Sequence, residues 1–248
     1  EGSKVSFMAA GSKRGLAQSI YQVGGNIGQS LAPLISAFVL VPFGQIGAAW
    51  FLIVSAVGIF VLSRIALWYR GVLEEEKRSN KKRTLISKFT ALSKKQVYVA
   101  LGLLLFLLFI RSFYVANITN FYVFHLMDHY DLHVKSAQIV VFVFLFFGAL
   151  GTFFGGPLAD RIGSKTVIMA SMIIPMPFAI MLPYVPLWGA WILAFIIGFS
   201  IMLSFSVTVV YAQELMPDKI GMMSGLTVGL SFGMGALGSV VIGMLMDH

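Results

Sequence analysis

The sequence predicts an all-α integral membrane protein, and three observations carry that prediction. Of its 248 residues, 58% are hydrophobic and 11% charged, with a mean hydropathy of +0.88; ordinary soluble domains are less apolar and about twice as charged. The apolar residues gather into runs of about 20, the length a helix needs to cross the hydrocarbon core. These runs lack the short alternating segments of a membrane β-barrel. Lipid offers the backbone no outside partner, so each run is read as a helix. Seven spans result, at roughly 17–40, 46–67, 97–122, 136–157, 165–183, 187–213 and 220–246.

The net charge of +8 sets the orientation of these spans. Of the 18 Lys and Arg residues, three precede span 1, ten lie in 64–95, two in the turn 158–165, and Lys219 follows span 6. If the spans alternate, all of these share one side; Lys135 lies on the other and Arg111 within span 3. Such asymmetry marks the basic side as cytoplasmic, with the first residue inside and the last outside. The charge therefore encodes topology, and no nucleic-acid partner is expected. A chain without Cys carries no disulfide framework or thiolate chemistry.

Span 1 carries Gln18, Gln22, Gly25 and Gln29 on one face, with Asn26 beside them. Lipid-facing amides are costly, so this face is expected to point into the bundle. After span 2 comes the charged segment 71–96, including Glu74-Glu-Glu-Lys-Arg-Ser-Asn-Lys-Lys-Arg83, read as a solvated connector between apolar blocks. The provisional domains are 1–70, a linker over 71–96, and 97–248.

In span 3, Arg111, Tyr114, Tyr122 and His125 share a face if the helix is unbroken, with Asn117 nearby. A charge at mid-depth costs roughly 2.5–3.5 kcal/mol on insertion scales, so Arg111 is read as retained for function. It would bind an anionic group or pair with a carboxylate from a helix outside this chain. No span has an acidic residue near its centre to name as a proton carrier. His125, His129 and His133 would align for zinc only on a continuous helix; the segment is read as a solvated exterior loop, and no metal is assigned.

Spans 4 and 5 are joined by Gly155-Gly-Pro-Leu-Ala-Asp-Arg-Ile-Gly-Ser-Lys165, a charged turn that must lie at a bilayer surface. Asp160 is expected to meet the N-terminus of span 7 and its positive dipole end. Arg161 and Lys165 are expected to pair with acids, the simpler reading being a topological anchor. Pro175 and Pro177 should kink span 5. In span 6, Ser200, Ser204, Thr208 and Tyr211 follow helical spacing and are read first as helix–helix hydrogen-bonding groups, with substrate contact second. Glu214 closes that span as a solvated or capping carboxylate, with a proton role as the alternative. Span 7 brings Gly221, Gly225, Gly229 and Gly233; like span 1 it is rich in small residues, and the two read as equivalent helices about 205 residues apart in two halves. The candidate cavity lining is then Gln18, Gln22, Asn26, Gln29, Arg111, Tyr114, Asn117, Ser204, Thr208 and Tyr211. No nucleophile–base set or phosphate-binding loop stands out, so neither an enzyme nor a cofactor is expected.

Gly156, Leu158, Asp160, Arg161, Gly163 and Lys165 together resemble the cytoplasmic-loop signature of major facilitator superfamily transporters. Further stretches are similar to one branch, the fosmidomycin-resistance family of drug efflux transporters. They are Gly15–Gly28, Leu67-Trp-Tyr-Arg70, Arg111-Ser-Phe-Tyr114, Val209-Val-Tyr-Ala-Gln-Glu-Leu-Met-Pro217, Gly221-Met-Met-Ser-Gly-Leu226 and Phe232-Gly-Met-Gly235. The resemblance implies a monomeric twelve-helix bundle of two halves in the cell membrane, this chain supplying helices 5 to 11. It also implies proton-driven efflux of a small molecule by alternating access, with Gly156, Asp160, Arg161, Gly163 and Lys165 latching the cytoplasmic side. Import of a sugar or organic anion is the alternative. A seven-span receptor fits less well, because its N-terminus would be exterior.

Overall fold

A computed structural model describes residues 13–78 and 93–246. These are helical apart from short turns, with no strand among the described residues. They belong to two compact units, Glu1–Leu34 with Ser87–His248, and Ile35–Ile86.

In the smaller unit a π-helical turn, Ser36–Leu40, leads into α2 (Val41–Arg78), which kinks at Gly44, where φ is 57°. Only glycine adopts that backbone readily. Part of the expected linker, 79–92, lies outside the described residues.

The larger unit contains α1 (Arg14–Ile35), α3 (Lys94–Asn120), α4 (Tyr122–Tyr130), α5 (Val134–Ile162), α6 (Ser164–Ile173), α7 (Pro175–Met181), α8 (Leu187–Met202), α9 (Ser204–Leu215) and α10 (Ile220–Met246). Among the described residues five stretches are long and apolar enough to cross a membrane: Lys95–Asn120, Val134–Ile162, Ser164–Tyr184, Leu187–Leu215 and Pro217–Met244. They correspond to expected spans 3 to 7. Helix α1 is long enough at 22 residues, but its amides, serines and glycines keep it outside that set. In α2 the described apolar stretch, Phe51–Leu67, is shorter.

Packing centres on α5 against α8, where Val140, Val141, Phe144, Leu193 and Ile197 form a buried core. Glycines set the closeness of this pair. A Cβ at Gly151 would run into the Phe199 carbonyl, one at Gly155 into that of Leu203, and one at Gly198 into that of Phe144. Helix α3 lies along α10, with Gly238 receiving the Phe113 ring. At its start, Ser93 and Gln96 form a reciprocal capping box.

Three interruptions shape the bundle. Span 5 breaks at Ile174, as its prolines imply, because Pro175 has no N–H to continue the ladder. Span 6 breaks at Leu203, where the backbone N–H shifts to the Ser200 carbonyl at 3.3 Å. Span 3 breaks at Phe121, so the single unbroken face expected for Arg111, Tyr114, Tyr122 and His125 is interrupted. The expected exterior loop is also corrected: His125 and His129 lie on helix α4, which Tyr122, Val123 and Leu126 anchor in the core.

Candidate functional site

Arg111 projects from α3 into the interior of the larger unit and is only 3% exposed. Its Nη2 donates to Ser231 Oγ on α10 at 3.4 Å, and Ser231 passes its own proton to the Thr227 carbonyl at 2.8 Å. The guanidinium carbon sits 4.4 Å from the centroid of the Phe205 ring on α9, a cation–π contact. Nη1 is buried and has no hydrogen-bond partner. A cation held this way keeps an unspent donor, which is costly unless something else accepts from it.

Beside the guanidinium is a cavity of about 260 Å³. Asn26 and Gln29 of α1 line it with Ser112, Thr119 and Asn120 of α3 and Ser239 of α10; among its described lining residues Arg111 alone is charged. The structure thus joins three of the candidate lining residues, Asn26, Gln29 and Arg111. Tyr114 turns instead to an apolar pocket of about 270 Å³ beside Met172 and Pro175, and its hydroxyl is buried without a partner.

The remaining candidates fall elsewhere. Gln18 and Gln22 are buried, whereas Gln29 and Gly25 are exposed, so the stripe expected to face inward does so only in part. The buried line on α1 runs instead through Gly15, Gln18, Ser19, Gln22, Ser30 and Pro33. Ser204 and Thr208 donate to the Ile201 and Ser204 carbonyls of the same span, at 3.4 and 2.7 Å. Asn117 is half-buried, and its backbone carbonyl receives the Phe121 N–H at 2.9 Å.

Several contributors were not singled out from sequence. Thr152 is one: its Oγ1 accepts from Asn26 Nδ2 at 2.7 Å, tying α1 to α5. The Ser19 and Ser206 hydroxyls meet at 2.8 Å, and Ser206 donates to the Thr152 carbonyl at 3.3 Å. Ser231 and Phe205, the immediate neighbours of Arg111, were missed as well. Their partners lie far away in sequence, so only the polar spacing of Thr227 and Ser231 on α10 offered a signal.

A second cluster lies at the end of α5 that carries the charged turn. Asp160 accepts from the backbone N–H groups of Gly15 (Oδ1, 3.3 Å) and Leu16 (Oδ2, 3.2 Å). The expected kind of contact is present, a carboxylate at a helix N-terminus, but its partner is α1 and not the helix of span 7. Gly15 and Gly156 allow the approach: a Cβ on Gly15 would lie 2.6 Å from the Gly156 carbonyl oxygen. Gly163, with φ of 94°, turns α5 directly into α6.

Arg14 Nη1 pairs with Glu214 Oε1 at 3.4 Å. Glu214 is 4% exposed, so it is not the solvated carboxylate expected from its position at the end of span 6. The burial follows from the packing of α9 against α5 and α6. Asp160, Arg161, Gly163, Lys165, Tyr211 and Glu214 all line one cavity of about 540 Å³.

Long apolar helices, an interior arginine beside a polar cavity, and a charged turn clamping a neighbouring helix define a multi-pass helical membrane protein. The chain belongs to the major facilitator superfamily, which matches residues 4–239. It is 54% identical over its whole length to the MFS-type transporter YfnC of Bacillus subtilis (strain 168). It is 44% identical, again over all 248 residues, to the fosmidomycin resistance protein of Escherichia coli (strain K12). The chain spans 60% of the length of each relative.

Proposed function

We propose that the whole protein is a secondary active transporter that exports small anionic compounds such as fosmidomycin by alternating access, in exchange for protons. In this reading the first residue and 71–96 are cytoplasmic, residues 1–70 end one half of the molecule, and 97–248 begin the other. The observation that carries the reading is Arg111, a buried cation whose Nη1 is unpartnered and which lines a cavity with no acid among its described lining residues. A phosphonate or carboxylate oxygen is the acceptor that such a donor lacks, and a charge-assisted bond would hold it. Asn26, Gln29 and Ser239 offer neutral donors and acceptors around it.

The Asp160 contacts with α1 and the Arg14–Glu214 pair close the cytoplasmic end in this reading. Glu214 is a buried carboxylate, and its protonation would remove the charge that holds Arg14. Proton arrival would then loosen the same end that must open to admit substrate.

Whole-cell accumulation of labelled fosmidomycin, with and without a proton uncoupler, tests the reading in cells making the whole protein. The expected result is low accumulation that rises on uncoupling. Accumulation above that of cells lacking the protein would indicate import, and no difference between the two would overturn transport of this compound.

A further inference from the structure

Helix α4 lies at the end of α5 opposite the charged turn, and its ring side chains form a column. Tyr122 stacks on His125 at 5.7 Å between centroids, and His125 stacks on His129 at 5.3 Å with planes 11° apart. Tyr130 meets both imidazoles edge-on, at 6.3 Å from His125 and 4.8 Å from His129. The Tyr130 hydroxyl donates to the Val185 carbonyl in the turn before α8, which fastens α4 across the mouth of the core. His125 is half-buried, and its Nε2 is closed off from solvent without a hydrogen-bond partner; the Tyr122 hydroxyl is in the same condition.

A neutral imidazole tolerates an idle nitrogen at modest cost. A protonated one must place a charged N–H where nothing accepts it, against a second imidazole that resists a like charge. We propose that His125 is a proton-operated latch: neutral, it lets α4 stay packed on α5 and bound to the Val185 turn, and charged, it releases them.

The groups around His125 decide the sign. On α4 itself are Asp128, His129 and Tyr130; Asp131 and His133 lie in the connection; Lys135 opens α5; and Tyr114 and Tyr122 lie below on α3 and at the start of α4. Burial is the largest influence and holds the His125 pKa below the ordinary 6.5, His129 lowers it further, and Asp128 opposes them. Asp128 and Asp131 are exposed, so solvent screens them. The released state therefore binds more protons than the docked one. Docking is at full strength above about pH 6.5 and weakens as the pH falls through that value toward the lower docked pKa.

The inference needs only the packing of α4 and goes beyond the transport reading. Its test is hydrogen exchange over 122–130 and 182–187 in the whole protein in lipid nanodiscs, corrected for the intrinsic effect of pH. Exchange is expected to be about threefold or more faster at about pH 5.5 than at about pH 7.5. His125→Phe keeps a stacked ring but cannot take a proton, and it is expected to abolish the difference; His125→Gln, without a ring, controls for loss of stacking alone. Equal wild-type exchange at the two pH values would overturn the latch. So would a pH response that persists in both His125 variants. No transport enters the measurement, so its failure leaves the proposed function standing.

Discussion

Replacing Asp160 with Ala should release the start of α1 from the end of α5. The Asp160 carboxylate satisfies two backbone N–H groups, at 3.3 and 3.2 Å, in the first turn of α1, where such groups have no partner within the helix. Asp160 is exposed, so the appropriate scale is that of a helix cap with its dipole contribution, about 1–2 kcal/mol. That corresponds to roughly a 5- to 30-fold shift between the clamped and released states. The chain has no cysteine, so a single introduced thiol reports cleanly. Val210 is 4% exposed in the wall of the same cavity, and Val210→Cys in a cysteine-free whole protein should be labelled by maleimide only when this end opens. Asp160→Ala is expected to accelerate labelling by about the same 5- to 30-fold, and Asp160→Asn, which retains an acceptor oxygen, by less. An unchanged rate in Asp160→Ala at normal membrane insertion would refute the reasoning, because the two bonds would then hold nothing together.

Other expectations follow from the same contacts. Gly151→Ala should overpack α5 against the Phe199 carbonyl and cost about 1–3 kcal/mol. It should be read as a lowered melting temperature in detergent, with Gly102→Ala, which meets nothing within 4 Å, as the neutral control. Glu214→Gln should remove the ion pair with Arg14 and raise labelling at position 210. Retained proton coupling in that variant would rule Glu214 out as the proton carrier while leaving its closing role intact.

The helices and the charged turn were legible because they depend on local chemistry. Pro175 breaks span 5 through its own missing N–H, whereas the Ser93–Gln96 cap that starts α3 was read as part of the linker 71–96. The break at Leu203 was not legible, since no proline or glycine adjoins it. It arises where Gly155 packs on the Leu203 carbonyl and Thr152 Oγ1 reaches the Met202 carbonyl at 3.4 Å, across 50 residues of sequence. The Asp160 contact was legible in kind, because a carboxylate next to small residues suits a helix N-terminus. Which N-terminus it meets depends on how α1 sits on α5, and spacing says nothing about that. Arg111 declared itself by its cost in an apolar run. Its neighbours Phe205 and Ser231 are ordinary residues made special only by the meeting of three helices. The histidines were misread as a loop because the apolar anchors of α4, Val123 and Leu126, are few and short in sequence.

The most direct measurement is equilibrium binding of fosmidomycin to the whole protein and to its Arg111→Gln variant, both folded and reconstituted alike. A charge-assisted bond from the buried guanidinium is worth about 1.5–3 kcal/mol, so affinity should fall roughly 10- to 150-fold in the variant. Equal affinity in the two proteins would contradict the account, because the buried cation would then have no part in holding the anion.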